Sequence, residues 1–330
     1  MQYTLLPPPP ALRSDVECIS VVECCGAQEM ALNVSPAGLP GLVFQHQNGR
    51  PVIERIVTRS GRQTSTPTLF LYGLGIEPSV MHFAAGTYST TQFILKPHAL
   101  QALFGMNAAA ATNYLLDLDE FAANDLNARL LEATTTPERI QLMSEYLLAR
   151  LRRSTSRDPL IEESLRLIHT NVATITVRFL LEHLSISERQ FERRFSHTVG
   201  ISPQSYLRIK RFNEAIRLMK NGRFERLTDV AHALHFHDQS HFVRDIKAFS
   251  GMTPAVFPKK WMSFTKTLSV SPTSEDDGFL QVSRPRTSYT HWHRSMIYEE
   301  CKYAADIFVH EHQSGWLRSR CQRRHFRFPQ

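Results

Sequence analysis

The stretch from Asp229 to Pro254 reads DVAHALHFHDQSHFVRDIKAFSGMTP, and the stretch from Phe179 to Pro203 reads FLLEHLSISERQFERRFSHTVGISP. These stretches form an internal repeat with a period near 50 residues, once one extra residue is allowed in the turn of the second copy. The matching pairs include Leu180 with Val230, Leu184 with Leu234, Phe191 with Phe242, and Gly200 with Gly251. Each copy has the pattern of a short apolar-faced helix, a turn and a second helix, so the repeat predicts two helix-turn-helix units.

Capping residues predict where the second helix of each unit begins and ends. Ser187 and Gln190 have the spacing of a capping box, whose reciprocal bonds satisfy backbone N–H groups at the helix start. Asp238 predicts the corresponding cap in the second unit. Gly200 and Gly251 predict the C-terminal ends, because glycine readily adopts the left-handed conformation that terminates helices.

The helical phase of these second helices separates core positions from outward ones. Phe191 and Phe195 face the core in the first unit, and Phe242, Ile246 and Phe249 do so in the second. Arg and Gln on the opposite face can form paired hydrogen bonds with bases in a major groove, and Lys suits phosphate. The outward residues are Arg189, Glu192, Arg193 and Ser196 in the first unit, and Gln239, Ser240, Val243, Arg244 and Lys247 in the second.

A long helix is predicted between the units, from Pro203 to Lys220 with Ser202 as its cap. At about 1.5 Å per residue this helix spans roughly 27 Å. That length is comparable to the roughly 34 Å turn of B-DNA once the helix ends and docking offsets are added. One chain can therefore place two reading helices in successive major grooves.

Positive charge is concentrated around the repeat. Residues 160–260 contain 16 Lys and Arg against 10 Asp and Glu, which accounts for +6 of the net charge of +7. A basic surface attracts phosphate, so this segment favours a nucleic acid or another polyanion as partner. A helical bundle with a solvated basic face is the alternative interpretation of the same pattern.

The chain ends and the cysteines bear on where the protein works. The N-terminus has no basic start and no long apolar run before Pro7, so we expect neither a signal peptide nor a membrane span. The 5 cysteines lack the CxxC spacing of a zinc or redox site. These features favour the cytoplasm, a reducing compartment.

In the region from Leu160 to Pro258 the sequence resembles the AraC/XylS family of bacterial transcription regulators. The stretch Phe236-His237-Asp238-Gln239-Ser240-His241-Phe242, followed by residues 249–254 (FSGMTP), is similar to the family's signature. Residues 187–195 together with residues 200–203 (GISP) resemble its first unit. The resemblance implies an all-α DNA-binding domain, sequence-specific promoter binding and, in many members, activation through contact with RNA polymerase. Carried over by position, the implied DNA contacts are Arg189, Glu192 and Arg193 in the first unit, and Gln239, Ser240, Arg244 and Lys247 in the second.

Three positions depart from the family pattern. Ser185 and His235 stand where its turns usually carry glycine, so the turn geometry can differ. Leu181 replaces a usually small residue beneath the first recognition helix, whereas Ala231 keeps that residue small in the second unit. We therefore expect the first unit to sit differently on DNA.

The N-terminal part is predicted to be β-rich. Residues 1–105 contain short apolar runs such as 41–45 and 68–72 between Gly, Pro, Asn and Ser clusters, which predicts a small β-barrel or sandwich. Residues 106–155 are predicted to be a helical extension, in which Thr136 and Pro137 mark a helix start, and residues 156–159 a linker. The overall fold class is therefore multidomain α+β.

Residues 1–155 also resemble, more loosely, the N-terminal domains of the AraC/XylS family. Gly73, Lys96-Pro97 and the helical segment after Asp119 stand in the expected order. This likeness implies a sensor for a small-molecule effector and a helical part for homodimerisation. His46, His82 and His98 are too scattered for a metal site, so we expect no metal or cofactor, and the sequence assigns no effector-binding residue.

The tail, residues 259–330, lacks sustained periodicity and mixes Arg, Ser and His, which predicts a poorly structured basic segment. Added nonspecific affinity for phosphate is the favoured interpretation, and an altered reading frame at the end of the gene is the alternative. Its His and Cys spacings match no standard zinc finger.

The sequence therefore predicts a non-enzymatic transcription regulator that binds double-stranded promoter DNA in response to an effector or partner. Two other classes stay open. A protein-binding adaptor would use the repeat to dock another protein with weak salt dependence, unlike phosphate-driven binding. An enzyme with a β-barrel domain is disfavoured by the lack of a nucleophile elbow, a P-loop and a paired metal-ligand motif.

Overall fold

The computed structural model describes residues 2–121, 125–154, 156–220, 227–236, 239–252 and 269–270. The N-terminal part contains two antiparallel sheets with helices against one of them, and the C-terminal part is helical up to residue 252. The predicted multidomain α+β fold is confirmed. Of the two architectures predicted for the N-terminal part, the described strands form a two-sheet sandwich.

The strands follow the alternating apolar runs of the sequence. They are β1 (Gln2–Leu6), β2 (Val16–Ala27), β3 (Met30–Val34), β4 (Gly41–His46), β5 (Ile53–Thr58), β6 (Gln63–Ser65), β7 (Leu69–Tyr72), β8 (Ser79–Phe83), β9 (Gly86–Leu95), β10 (Leu115–Leu116) and β11 (Ser269–Val270). The larger sheet has the order β10-β7-β4-β9-β2-β1-β11, in which β11 pairs in parallel with β1. The smaller sheet has the order β3-β8-β5-β6. The described part of the predicted tail therefore includes one short strand.

The larger sheet is covered by helices on one face. These helices are α1 (Ala99–Phe104), α2 (Leu126–Glu132) and α3 (Thr136–Arg153). Because strand side chains alternate between faces, Leu42, Leu71 and Phe93 pack with Leu103 and Met143 in one buried core. The opposite face of the sheet is turned toward the smaller sheet.

The boundaries of the helical extension differ slightly from the predicted ones. Helix α1 begins at Ala99, before residue 106. Thr135 rather than Thr136 caps α3, because its hydroxyl accepts a hydrogen bond from the N–H of Glu138 while Pro137 lies in the first turn. The N-cap of α3 therefore lies one residue before the predicted position.

The C-terminal part contains α4 (Pro159–Thr170), α5 (Val177–Leu184), α6 (Glu188–Val199), α7 (Pro203–Lys220), α8 (Leu227–Ala233) and α9 (Gln239–Ser250). The long helix α7 has the predicted bounds, and the Ser202 hydroxyl accepts a bond from the N–H of Ser205. Phe191, Phe195 and Phe242 are each 0% exposed, in one hydrophobic cluster shared by both units. The predicted core phase is therefore confirmed. None of the helices in the described ranges is long and apolar enough to cross a membrane.

The linker is tied to the N-terminal domain by an ion pair. Arg157 donates to both oxygens of the fully buried Asp15, at 2.7 and 2.6 Å. Burial alone would raise the pKa of Asp15, but hydrogen bonds from His98 and Ser14 and the charge of Arg157 outweigh it, so the pKa is lowered. The ionised carboxylate therefore stabilises this junction.

Candidate functional site

The start of α6 is built around Ser187, but without the predicted capping box. Ser187 occupies the N-cap position, and its hydroxyl forms no hydrogen bond with a backbone N–H. The hydroxyl instead donates to the side-chain oxygen of Gln190, at 3.1 Å. The prediction of reciprocal capping bonds is therefore wrong, and the first-turn N–H groups of α6 stay free of that side chain.

The predicted reading face of α6 is exposed. Arg189, Glu192 and Arg193 are all exposed, and none forms an ion pair or side-chain hydrogen bond with the residues that the structure describes. The adjacent Arg194 behaves differently, since its guanidinium donates to both oxygens of Asp158 at 2.6 and 2.8 Å. Arg194 is thus a structural residue, whereas Arg189 and Arg193 are available to a ligand.

Both turns adopt the conformation that glycine would favour. Ser185 has φ 50° and His235 has φ 51°, so these residues take the left-handed conformation that the family pattern gives to glycine. Neighbouring packing holds them there, because Leu184 and Phe236 on either side of such turns contact the hydrophobic cluster. The two departures from the family pattern therefore leave the turn conformation unchanged. Leu181 is only partly buried and packs against the same cluster, whereas Ala231 is buried within it.

The second reading helix, α9, presents Ser240, Arg244 and Lys247 as exposed residues. Gln239 is the first residue of α9, and the predicted cap Asp238 lies outside the described residues. The Nε of Arg244 donates to the carbonyl of Ser240, at 3.3 Å, which keeps this guanidinium near the N-terminal turn. The orientation of the helix is set from the other face by an ion pair between buried Asp245 and Arg208 of α7, at 2.5 Å.

The C-terminal ends of both reading helices contact the N-terminal domain. At the end of α6 the carbonyl of Gly200 accepts a hydrogen bond from the Thr112 hydroxyl, at 2.7 Å. Near the end of α9 the carbonyl of Lys247 accepts one from Arg59, at 2.9 Å. The predicted DNA contacts lie mostly on the N-terminal turns, at the opposite end of each helix. The N-terminal domain therefore contacts both reading helices near the ends that lie away from most of the predicted DNA contacts.

Comparison with known protein families supports this geometry. A family model described as a helix-turn-helix domain matches residues 180–260, the region of both reading helices and the sequence signature. The chain is a DNA-binding transcription regulator with an AraC-type helix-turn-helix domain. A second family model, DUF6597, a domain of unknown function, matches residues 4–117 of the regulator. No curated protein sequence matches the chain.

Solved structures show a distant likeness to the regulator. A 1.65 Å structure of ToxT from Vibrio cholerae is 12% identical, with a TM-score of 0.41, over 73% of this chain and 97% of that one. Wild-type ToxT from Vibrio cholerae strain SCE256 with a bound unsaturated fatty acid is 14% identical, with a TM-score of 0.39, over 73% and 94%. The AraC-like transcriptional activator CuxR is 17% identical, with a TM-score of 0.19, over 61% and 74%. The assignment depends on the sequence signature and the family model rather than on these structures.

A cavity of about 180 Å³ lies between the two sheets of the regulator. Its walls come from both sheets, for example Ser20 and Gln92 from the larger and Leu32 and Met81 from the smaller. Further lining at one end comes from residues 35–37 and 39, from residues 73, 75 and 77, and from residues 113–115. Sequence reasoning assigned no residue here. The available signal was alternation, since small and polar residues stand between apolar ones on β2 and β9.

The lining segments at that end also contact the DNA-binding domain. The carbonyl of Ala37 accepts a hydrogen bond from buried Asn213 of α7 at 2.9 Å, and Gly38 lies against Ile209. Leu74, between the lining residues Gly73 and Gly75, is 1% exposed and belongs to the hydrophobic cluster of the DNA-binding domain. The cavity and the DNA-binding domain therefore share two wall segments.

The three histidines predicted to be structural occupy separate places. His98 is buried and its Nε2 lies 3.1 Å from the carbonyl oxygen of Ser14. His46 is on β4 and His82 on β8, and burial lowers the pKa of both. Within the described ranges, no three His, Cys, Asp or Glu side chains come together as a metal site.

Proposed function

We propose that this regulator binds promoter DNA through α6 and α9 and that a small molecule in the cavity changes how these helices are held. The observation that carries the proposal is the shared wall, in which Leu74 and Ala37 contact the DNA-binding domain while their neighbours line the cavity. A ligand that displaces either segment acts directly on the DNA-binding domain, and it can shift the equilibrium only by its different affinity for the two arrangements.

The proposed base contacts are Arg189, Glu192 and Arg193 in the first unit and Gln239, Ser240 and Arg244 in the second, with Lys247 on phosphate. The exposure of the described side chains supports this assignment. Arg193 is also not engaged in the ion pair with Asp158 that its neighbour Arg194 forms. Arg forms two parallel bonds to guanine, so Arg189 and Arg193, which are exposed and form no ion pair with the described residues, suit base recognition.

The family resemblance supports three further parts of the proposal. These are contact with RNA polymerase at the promoter, homodimerisation through the helical extension, and action in the cytoplasm, where bacterial promoters are. The proposal includes no catalytic step.

The test of DNA binding is fluorescence anisotropy with a labelled fragment from upstream of the regulator's own gene, compared with a scrambled fragment of equal length. We expect tighter binding to the first fragment and a steep loss of affinity with salt, because cations on the protein displace condensed counterions. Protein that is folded by circular dichroism but binds neither fragment at low salt would contradict the proposal. DNA binding that does not depend on salt would favour the alternative function of a protein-binding adaptor.

The switch is tested separately by filling the cavity. Ser20 is 3% exposed and lines the cavity, so Ser20→Phe places a ring in that space. We expect the DNA affinity of the folded variant to change. A folded variant that binds DNA with the wild-type affinity would contradict the proposed coupling between the cavity and DNA binding.

A further inference from the structure

The two walls of the cavity differ in chemistry. The wall from the smaller sheet is mainly apolar, with Leu32, Ile53, Met81 and Phe83 beside the hydroxyl-bearing Thr58, Thr64 and Ser79. The wall from the larger sheet also has apolar residues such as Val43 and Phe70, but it carries the hydrogen-bonding side chains of Ser20, Tyr72, Thr90 and Gln92. A ligand that satisfies both walls has an apolar body and a small polar group on one side, because unpaired polar groups are costly to bury.

The polar wall offers one well-defined donor. Gln92 donates its side-chain N–H to the hydroxyl oxygen of Tyr72, so the proton of that hydroxyl is free to bond to a ligand oxygen. Gly41 makes this arrangement possible, since a Cβ at this position would lie 2.5 Å from the Tyr72 hydroxyl. Burial raises the pKa of Tyr72, despite the hydrogen bond from Gln92 that lowers it, so the phenol stays neutral.

The cavity lining carries little charge. Glu77 is the one Asp, Glu, Lys, Arg or His among the described lining residues. Its carboxylate already accepts hydrogen bonds from the N–H and the hydroxyl of Ser60, both at 2.8 Å. Arg62, near the same end, stacks on Tyr114 with its guanidinium carbon 4.1 Å from the ring centre and donates to the Asn113 carbonyl. A bound anion would thus lie beside a carboxylate without a lining cation to compensate for its lost hydration.

We infer that the effector is an uncharged amphipathic small molecule whose hydroxyl or carbonyl oxygen accepts a hydrogen bond from Tyr72 while its apolar body covers the wall of the smaller sheet. This inference deepens the proposed function and depends on it for the word effector. The binding chemistry itself depends only on the cavity. A carboxylate with the same apolar body is excluded by charge, and an ammonium has only the already bonded Glu77 as a partner.

The experiment titrates the full chain, without DNA, with three probes that share an eight-carbon chain: octanol, octanoate and octylammonium. Isothermal titration calorimetry and thermal unfolding at neutral pH give affinity and stabilisation. We expect octanol to bind and to raise the melting temperature, and octanoate and octylammonium to bind at least about tenfold more weakly, because each would bury an uncompensated charge. Tighter binding of either ion, or no binding of octanol to folded protein, would overturn the inference.

Two tyrosine variants locate the bound oxygen. Tyr72→Phe keeps the ring and removes the donor, so octanol affinity is expected to fall about fivefold, the usual value of one hydrogen bond. The matched control is Tyr146→Phe, because Tyr146 lies on α3 and bonds to the carbonyl of Phe121, outside the cavity lining. An equal effect of both variants would exclude Tyr72 as the ligand donor. These titrations contain no DNA, so a negative result would not bear on DNA binding by the regulator. Conversely, a failure to bind DNA would not contradict the binding chemistry of the cavity.

Discussion

Leu74 makes the physical link between the two domains testable. It follows β7 in the N-terminal domain, yet its side chain is 1% exposed within the hydrophobic cluster of the DNA-binding domain. The change Leu74→Ala therefore removes apolar contacts that exist only while the domains are docked. The matched control is Leu71→Ala, since Leu71 is 0% exposed in the core between the larger sheet and its helices.

The magnitude follows from the cavity that such a truncation leaves. Leu→Ala changes at fully buried sites lower stability by about 3–5 kcal/mol. For Leu74 this loss falls on the docking equilibrium, and about 3 kcal/mol raises the undocked population by roughly 100-fold. For Leu71→Ala a loss of similar size lowers the free energy of unfolding of the N-terminal domain. The contacts between the two docked domains are unchanged in that variant.

Limited trypsin digestion measures docking, because Arg152 and Arg153 are exposed at the C-terminal end of α3, shortly before the linker whose Arg157 pairs with Asp15. Cleavage there, identified by fragment mass, follows the population of the open form when opening is fast. We expect Leu74→Ala to be cut at this site roughly 100-fold faster than wild type at 25 °C. A wild-type rate in Leu74→Ala, or an equal acceleration in Leu71→Ala, would refute the reasoning.

Three more predictions concern DNA reading, acid stability and the polar wall. Arg193→Ala is expected to lose about 1–3 kcal/mol of discrimination at one base pair in binding to variant DNA sites, whereas Arg178→Ala on α5 leaves discrimination unchanged; uniform weakening on all sequences would assign Arg193 to phosphate. The lowered pKa of Asp15 stabilises the fold above the ordinary value of 3.8, and that contribution is lost as the pH falls below it. Thermal unfolding between about pH 3 and pH 7 is therefore expected to depend less on pH in Asp15→Asn than in wild type; equal slopes in the two proteins would contradict this. Gly41→Ala forces a methyl group against the facing tyrosine and is expected to lower the free energy of unfolding in urea by about 1–3 kcal/mol; an unchanged midpoint would disprove the close approach.

The elements with local signals were predictable from the sequence. The phase of Phe191 and Phe195 decided the inner face of α6, and Pro203 and Lys220 bounded the long helix, because both depend on helical periodicity and capping within one segment. Ser185 and His235 also follow this rule. The family resemblance implied their glycine-like positions, and packing of their neighbours fixes the left-handed conformation.

The cavity and the Asp15–Arg157 contact, which the sequence left open, depend on residues far apart in the chain, whereas the wrong prediction at Ser187 concerns neighbouring residues. The Ser187 hydroxyl bonds to the Gln190 side chain rather than to the backbone, a choice between local partners that spacing alone does not determine. The cavity needs the register of β7 and β9 before Tyr72 and Gln92 can be placed together. Asp15 and Arg157 are 142 positions apart, so their contact follows only from the folded arrangement of the domains.

The anchoring of both reading helices to one domain has a consequence for how such a regulator can change over evolution. Thr112 holds the end of α6 and Arg59 holds the end of α9, so a shift of the N-terminal domain moves both helices together. In the proposed function, a substitution that changes the response to the effector therefore acts on both reading helices at once. In that mechanism, promoter choice and effector sensitivity are inherited as one trait.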